Sequence, residues 1–331
     1  MYKYPSSTPV QGACSSILNN IALDNFLRDE VCKKGGTSRI IVALDNLKQD
    51  KILATKAFAA LANLVSGAAV DVLQANDAPA PQTFINAMKA HPKCLRIQID
   101  AAFALWALSA RDDSFKDDIV NLGGIDAIVS AMHQFLASKQ MQVRGFVVLW
   151  SCSVPNHLKA SVGQRGIEAV VNGMSAHISS EEACQEALGC LKCLSTIVSN
   201  KEILDEQGAL DLIFSCLWLH LGNATLCKSA LAALCNVSVN VESNQVSEIT
   251  GEDIDAIVHA MRTHLNVKGV QESAIYLLRN YTFSQSNMQV LEGACPQLTN
   301  LIKAAKANHN NHFRGKADEL LRVLPRQRLG T

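Results

Sequence analysis

Apolar residues return at intervals of three or four positions through most of the chain, separated by short polar segments and glycines. This interval places the apolar side chains on one face of an α-helix, which can then be buried against neighbouring helices. The chain is therefore predicted to be all-α. Within residues 51–65 the apolar positions that follow the pattern are Ile52, Ala54, Ala57, Phe58, Leu61 and Leu64.

The same helical pattern recurs along the chain at a nearly constant period. Its central apolar residues lie 42 to 44 residues apart, and the copies cover almost the full length. A period of about 40–47 residues is typical of α-solenoids, in which each repeat buries its apolar face only by stacking on its neighbours. The central residues are Ile17, Leu61, Leu105, Leu149, Leu191, Leu234 and Leu278.

Glycines recur with the same period and are predicted to join the helices within a repeat. Glycine adopts φ > 0 without a steric clash, so each one can end a short helix and turn the chain sharply into the next. One copy has the segment Asn76–Pro81 instead. A repeat thus contains a short helix, a medium helix and a long helix, predicted for the second copy at about 24–34, 37–46 and 50–66. The glycines are Gly35, Gly36, Gly123, Gly124, Gly166, Gly208, Gly251 and Gly293.

Two short motifs stand out within the repeats. Ala104–Ser109 reads Ala-Leu-Trp-Ala-Leu-Ser, and Gly123–Ile128 reads Gly-Gly-Ile-Asp-Ala-Ile. These motifs resemble those of the armadillo repeat family, which often has Ala-Leu-Trp-Asn-Leu-Ser and Gly-Gly-Ile-x-x-Ile. The family asparagine is kept in Ala60–Leu64 and in Leu278–Tyr281. The resemblance covers nearly all of the chain. It implies an all-α fold, a right-handed α-solenoid of armadillo-type three-helix repeats.

The repeats predict a single array over residues 1–331. A half repeat over 8–22 comes first, six repeats follow over about 24–284, and a C-terminal cap covers about 285–325, with a pair of helices over 286–306. The chain begins with the third helix of a repeat. Either this half repeat is a natural cap, or the chain is a piece of a longer protein.

Composition narrows the classes of partner. The chain has 30 basic and 30 acidic residues, and this zero net charge gives no electrostatic footprint for nucleic acid or a membrane surface. The N-terminus lacks the apolar region of a signal peptide, and no apolar run is long enough to span a bilayer. The 11 cysteines fall mostly on apolar helical positions, as free thiols do in a reducing compartment. We therefore expect a cytoplasmic protein, with the nucleus as the alternative.

The resemblance implies that the long helices line a concave groove. The family asparagines, which clamp the backbone of a bound peptide in armadillo proteins, correspond here to Asn19, Asn63, Asn236 and Asn280. A side-chain amide suits this task because it can donate to a carbonyl and accept from an N–H group. The other interpretation is that each amide is a surface group or binds the neighbouring repeat.

The asparagine series is broken in the middle of the chain. The equivalent positions there hold Ala107, Ser151 and Cys193. The tryptophans that flank lysine pockets in importin-α-like receptors are also missing, since their places hold residues such as Ser15 and Gly189. The resemblance therefore does not extend to a receptor for nuclear localisation signals.

An aromatic and aliphatic patch takes the place of the missing asparagines. Phe103 and Trp106 of one repeat match Val147 and Trp150 of the next, 44 residues on, so these four side chains should lie side by side. Such a patch could hold an amphipathic helix or an apolar peptide anchor. The competing interpretation is that both tryptophans are partly buried between repeats. At the C-terminal end, Tyr276 and Arg279 complete the predicted groove.

A row of charged residues runs beside the patch. Lys56, Asp100, Arg144 and Glu186 share one repeat position and alternate in sign. This row could recognise a partner of mixed charge. Alternatively, it forms a solvated series of ion pairs between neighbouring repeats, which stabilises little.

The histidine and cysteine motifs do not have the spacing of a metal site or a redox site. Met-x-x-His recurs with His91, His177 and His264, but repeats stacked about 10 Å apart would separate these rings far beyond zinc-ligand distances. The Cys190-x-x-Cys193 pair lies within a helix and has no matching second pair. Cys184 and Cys227, 43 residues apart, are predicted to be neighbours. We expect no metal and no cofactor.

No catalytic motif is present, and the chain is predicted not to be an enzyme. There is no P-loop, dinucleotide-binding glycine motif, zinc-protease motif or nucleophile elbow. The favoured function is a protein-binding scaffold or adaptor that holds a peptide or helix in its groove. The alternative is a structural segment that packs into a larger assembly through its ends or convex face. An exposed Trp106–Trp150 face would favour the scaffold, and a buried pair with an apolar first helix would favour the structural segment. The oligomeric state stays open.

Overall fold

A computed structural model describes residues 1–46, 50–65, 80–240, 245–308 and 311–324. Over these residues the chain is all-α, with eighteen α-helices, one turn of 3₁₀ helix and one very short hairpin. None of the helices in these ranges is both long and apolar enough to cross a membrane. An irregular segment was predicted at 76–81. Its residues 76–79 lie outside the described residues.

The chain divides into two compact units, residues 1–173 and 174–331. The boundary falls within the last turn of α10. The helices of unit 1 are α1 (Thr8–Ile21), α2 (Asn25–Lys33), α3 (Gly36–Asn46), α4 (Lys51–Val65), α5 (Ala80–Ala90), α6 (Leu95–Ser109), α7 (Asp113–Asn121), α8 (Gly124–Gln134), α9 (Lys139–Cys152) and α10 (Asn156–Ala176).

Unit 2 contains α11 to α18. They are α11 (Glu181–Leu194), α12 (Lys201–Glu206), α13 (Ala209–Leu219), α14 (Ala224–Val237), α15 (Gly251–Thr263), α16 (Lys268–Tyr281), α17 (Gln285–Asn308) and α18 (Asn311–Val323), with the 3₁₀ turn at Val198–Asn200 and strands β1 (Val239–Asn240) and β2 (Gln245–Val246).

The long third helices of successive repeats pack side by side within each unit. In unit 1 this row is α1, α4, α6 and α9, and in unit 2 it is α11, α14, α16 and α18. The apolar side chains predicted to face inward are buried, as Leu61, Leu105 and Leu149 show in unit 1. Because α18 packs on α16 as α16 packs on α14, the last helix continues the row of third helices in unit 2.

Side-chain caps fix where several third helices begin. Ser138, Ser180 and Asn223 precede α9, α11 and α14, and each side chain accepts a hydrogen bond from a backbone N–H of the first turn. These N–H groups have no partner within the helix, so a short polar side chain at this place stabilises the start. The caps recur at the repeat period, which keeps the third helices in register.

The predicted glycine turn is confirmed in three repeats. Gly35, Gly123 and Gly208 have φ of 75°, 79° and 66° and stand between a first and a second helix. This left-handed conformation of Gly123 turns the chain between α7, which ends at Asn121, and α8, which begins at Gly124. A side chain at such a position would clash with the backbone, which explains the glycine.

The same prediction is wrong at Gly166, Gly251 and Gly293. Gly166 lies inside the continuous helix α10, where an added Cβ would come 3.1 Å from Leu149, so this glycine permits close packing on α9. Gly251 is the first residue of α15, which starts with a capping box between Thr250 and Asp253.

Gly293 lies inside α17, so the predicted pair of helices over 286–306 is a single helix of 24 residues. Its buried face continues without a break through Leu291, Cys295 and Leu298, and this apolar spacing sustains one helix. Pro296 interrupts one backbone hydrogen bond but does not end the helix.

A short hairpin precedes α15, where the pattern predicted a first helix. Val239 pairs with Val246 and Asn240 with Gln245 in an antiparallel ladder. The pairing is two residues long, so the class of the fold stays all-α.

Buried glutamines connect the second helix of a repeat to the third. Gln98, Gln142 and Gln271 each donate their side-chain amide to two carbonyl oxygens at the end of the preceding second helix. The last carbonyls of a helix lack partners within it, so these amides act as C-terminal caps. The thiols of Cys184 and Cys227 take the same repeat position in unit 2. They approach carbonyl oxygens just after the preceding second helix, those of His177 and Ile178 for Cys184 and of His220 and Leu221 for Cys227.

Candidate functional site

The predicted aromatic patch lies on the third helices α6 and α9 of unit 1. Phe103, Trp106, Val147 and Trp150 are all half-buried, so each keeps part of its side chain in contact with solvent. The rings of Phe103 and Trp106 are one helical turn apart on α6, with centroids 5.6 Å from each other and a tilt of 39°. This tilted arrangement is a favourable geometry for two aromatic rings.

Arg144 gives the patch a positive charge. Its guanidinium carbon on α9 lies 4.7 Å from the centroid of the Phe103 ring on α6. A guanidinium at this distance over a ring is attracted to its electron-rich face. The patch therefore combines exposed aromatic surface with a cation.

Asp100 differs from the solvated series of ion pairs predicted for its row. The side chain is buried and accepts a hydrogen bond from Arg96, one turn earlier on the same helix, at 2.7 Å. Burial raises the pKa of the Asp100 carboxyl, while the hydrogen bond from Arg96 and the charges of Arg96 and Arg144 act in the opposite direction. Asp100 thus positions Arg96 and adds little negative charge to the surface.

Two serines connect α6 and α9 beside the tryptophans. The hydroxyl of Ser109 lies 2.8 Å from that of Ser151, which occupies one of the positions where the family asparagine is missing. The same Ser109 oxygen lies 2.8 Å from the carbonyl oxygen of Trp106. These contacts fix the relative position of the two helices that carry the patch.

Asn19 and Asn63, the two predicted groove asparagines of unit 1, bind each other. The amide of Asn63 on α4 donates to Oδ1 of Asn19 on α1 at 2.9 Å. Both side chains are half-buried. The contact ties adjacent third helices together.

The two asparagines of unit 2 also contact the preceding repeat. The amide of Asn236 donates to the carbonyl of Lys192, and that of Asn280 donates to the carbonyl of Cys235, both at 3.1 Å. These bonds correspond to the interpretation of the asparagines as ties between repeats. Their action on a bound peptide stays a prediction.

Tyr276 and Arg279 lie on α16 against the last helix of unit 2. The ammonium of Lys316 is 5.5 Å from the centroid of the Tyr276 ring, and Arg279 lies 3.8 Å from a carboxylate oxygen of Glu319. Both members of the second pair are more than 40% exposed, so the pair stabilises little. The C-terminal part of the predicted groove therefore has side chains of α18 as neighbours.

Exposed apolar side chains also occur away from the third helices. At the N-terminal end of unit 1, Ile17, Leu23 and Phe26 are 58%, 71% and 73% exposed. On the second helices of unit 2, Trp218 is 40% exposed and its ring lies 5.4 Å from that of His259. Exposed apolar side chains are thus present both at the N-terminal end of unit 1 and on the second helices of unit 2.

Unit 2 contains a buried cluster that the sequence did not predict. Sulfur atoms of Cys184 and Cys216 and a ring nitrogen of His220 all lie within 4.8 Å of one another. Cys216 is therefore a close neighbour of Cys184. The helices α11 and α14, which carry Cys184 and Cys227, pack on each other, and the proximity of these two thiols stays a prediction. The hydrogen bond from Cys216 lowers the pKa of the Cys184 thiol to about 7 despite its burial, and His220 acts in the same direction.

Comparison with known proteins rests on structure alone. No protein-family model matches the chain, and no curated protein sequence matches it. A designed armadillo repeat protein in complex with the peptide (KR)4 covers 74% of this chain and is itself covered to 99%, with 18% identity and a TM-score of 0.58. The chain has an armadillo-like repeat fold.

Two further solved structures match most of the chain. One is a structure that concerns a conserved phosphorylation switch controlling the interaction between cadherin and beta-catenin. It covers 96% of this chain with 18% identity and a TM-score of 0.74. The match spans 60% of the length of that relative. The other is an engineered protein that covers 96% of this chain and is covered to 86%, with 18% identity and a TM-score of 0.64.

Proposed function

We propose that the chain is a non-catalytic protein-binding scaffold, and that the third helices of unit 1 hold a peptide or helix of a partner protein. Structures of the same fold include a designed protein in complex with a peptide and one described by the interaction between cadherin and beta-catenin, which supports a protein partner. The proposal includes no nucleic acid, membrane or cofactor, and a cytoplasmic location with the nucleus as the alternative.

The observation that carries the proposal is the half-exposed patch around Trp106 and Trp150. Indole rings offer a large rigid apolar surface and one N–H donor, which makes tryptophan a common anchor in protein interfaces. Arg144 adds a donor at the edge of the patch by stacking on Phe103. The complementary partner is a segment with an apolar side chain for the indoles and an acceptor group for the guanidinium.

A second contact region is proposed on unit 2. Asn236 and Asn280 keep the family positions, and Tyr276 and Arg279 are the partly exposed residues beside Asn280. Tyr276 is 39% exposed, which leaves much of its ring accessible although Lys316 lies over it. An extended partner could reach this region independently of the patch.

Affinity capture from lysate tests the proposal, with mass spectrometry to identify bound proteins. The double variant Trp106→Ala/Trp150→Ala removes the patch, while Trp218→Ala removes the remaining tryptophan of the chain, which lies on a second helix. Circular dichroism of both variants checks that they keep the helix content of the wild type.

We expect a partner that wild type and Trp218→Ala retain and that the double variant loses. A purified partner should then bind the double variant at least about 30-fold more weakly, since an interface hot spot contributes about 2 kcal/mol or more. If every partner survives in the double variant, the patch is not the binding site.

The alternative function is a structural segment of a larger protein or assembly that packs through its ends or convex face. The observation in its favour is the exposure of three large apolar side chains, Ile17, Leu23 and Phe26, at the N-terminal end of unit 1. Under this alternative, Ile17→Glu/Phe26→Glu or Trp218→Ala abolishes capture of the partner, and the Trp106→Ala/Trp150→Ala variant keeps it.

A further inference from the structure

The junctions between repeats in unit 2 share one arrangement of side chains. His220 lies at the end of α13, and its Nε2 donates to the carbonyl of Ile178 at 2.7 Å. His264 lies at the end of α15, and its Nε2 makes the same contact with Leu221 at 2.8 Å. In each case a cysteine of the preceding third helix, Cys184 or Cys227, lies at the same junction.

At the first of these junctions a second thiol joins the histidine and the cysteine. Cys216 and His220 are four residues apart, which places them one above the other on the same face of α13. Sγ of Cys184 on α11 lies 3.9 Å from Nε2 of His220. Both cysteines are fully buried, and His220 is 8% exposed.

The next junction shows that the fold does not require this second thiol. There the positions of Cys184, Cys216 and His220 are taken by Cys227, Ala260 and His264. Ala260 is fully buried and the helix α15 forms normally. Cys216 therefore adds a second thiol to a junction that forms without it in the next repeat.

We infer that Cys184, Cys216 and His220 form a buried zinc site. Among the described residues, this is the one group of at least three cysteine, histidine or acidic side chains whose ligand atoms are close enough to share an ion. Zinc takes sulfur at about 2.3 Å and imidazole nitrogen at about 2.0–2.1 Å in a tetrahedron, which places such ligands roughly 3.5–3.8 Å apart. The observed 3.9 Å between sulfur and nitrogen needs an adjustment of only a few tenths of an ångström.

Charge balance favours Zn²⁺ over a monovalent ion. Binding follows Zn²⁺ + 2 RSH + His → Zn(SR)₂(His) + 2 H⁺, so two thiolates neutralise the ion and no net charge is buried. A monovalent soft cation such as Cu⁺ would leave one uncompensated negative charge in the same dry site, which is costly. Nε2 of His220 gives up its proton to Nδ1 when it ligates, and the His220–Ile178 hydrogen bond is lost.

The fourth position of the tetrahedron has a donor within reach. The carbonyl oxygen of Ile178 lies 2.7 Å from Nε2 of His220 and 3.2 Å from Sγ of Cys184. This oxygen or a water molecule completes the coordination. A site of three protein ligands with one further position is a known zinc geometry. Because the ligands come from α11 and α13, a bound ion would join two neighbouring repeats.

Zinc retention by the purified full-length chain tests the inference. The reduced protein is stripped with a chelator, mixed with Zn²⁺, passed over a desalting column and analysed for zinc by elemental mass spectrometry. Cys216→Ala recreates the residue of the next junction, and Cys184→Gln recreates the glutamine found at Gln142 and Gln271. Each change replaces a proposed zinc ligand by a side chain that another repeat accommodates at the same position. Cys227→Ala is the matched control, since it removes a buried junction thiol outside the cluster.

We expect wild type and Cys227→Ala to retain about one equivalent of zinc more than either ligand variant, and to gain thermal stability with Zn²⁺. Replacing Zn²⁺ with Co²⁺ should give intense thiolate-to-cobalt charge-transfer absorption in wild type and lose it in Cys216→Ala. Equal zinc retention by wild type and Cys216→Ala overturns the site.

Discussion

The side-chain amide of Gln142 donates a hydrogen bond to the carbonyl oxygen of Met132 at 2.8 Å, and to that of Phe135 at 3.1 Å. Gln142 is fully buried, and its bond to the Met132 carbonyl at the end of α8 is buried as well. Truncation to alanine leaves the two carbonyls without their donor and removes packed atoms. We expect Gln142→Ala to lower the free energy of unfolding by about 2–4 kcal/mol.

Urea unfolding followed by circular dichroism measures this effect. The matched control is Gln140→Ala on the same helix, where the side chain is exposed and the change should stay within about 0.5 kcal/mol. Equal losses for the two variants would show that the buried cap contributes nothing.

Gly123→Ala should destabilise the chain by about 1 kcal/mol, because residue 123 has φ of 79° and alanine is strained there. Gly251 holds the same place in the repeat pattern but is the first residue of a helix, with open space around its Cα. Gly251→Ala should therefore leave stability unchanged or raise it slightly. Thermal unfolding of both variants checks the pair, and a loss at Gly251 as large as at Gly123 would contradict the explanation.

Asp100 should make stability fall as pH rises. Burial raises the pKa of its carboxyl above 3.8, so the folded state binds the proton more tightly than the unfolded state does. Between pH 3.8 and the higher folded pKa, wild type should lose stability relative to Asp100→Asn. Urea unfolding of both proteins from pH 3.5 to 7 measures the difference.

Asp112 is the control of opposite sign for Asp100. Hydrogen bonds from Ser114 lower the pKa of this exposed carboxyl, which caps α7. Wild type should therefore lose stability relative to Asp112→Asn as pH falls through the lowered pKa. If the Asp100 difference changed in the same direction, the ion pair with Arg96 would outweigh burial.

Cys152 should resist alkylation in the folded protein. Burial raises the pKa of its thiol to about 12, and the side chain is inaccessible, so thiolate is scarce at pH 8. Cys14 on α1 is partly exposed and provides the comparison. Peptide mass spectrometry after iodoacetamide treatment should find Cys14 modified first, and Cys152 modified only in urea. Comparable rates in the folded state would contradict the burial of Cys152.

Periodicity alone predicted most of the fold. Apolar spacing located the third helices to within a few residues, as for α4 at Lys51–Val65 against the predicted 50–66. It could not decide what each glycine does. Gly123 turns the chain and Gly166 packs against Leu149, because the outcome depends on whether a buried face continues past the glycine, which is a property of neighbouring helices.

The candidate sites were less accessible to sequence reasoning. The positions of Trp106 and Trp150 on third helices followed from the repeat, but the stacking of Arg144 on Phe103 did not, since it joins different helices. His220 was missed because Leu217 precedes it by three residues, where three other repeats have the methionine of Met-x-x-His. The repeat register, applied to every histidine, would have placed His220 between His177 and His264.

The bonds from His220 to Ile178 and from His264 to Leu221 also bear on how unit 2 opens. In a repeat array, stability is a sum of terms for single repeats and for the interfaces between neighbours. Because each histidine belongs to one repeat and its acceptor to the preceding one, neither repeat can fray without breaking a bond of the other. We expect the amides of α13 and α15 to exchange with deuterium at a common slow rate, as one cooperative block.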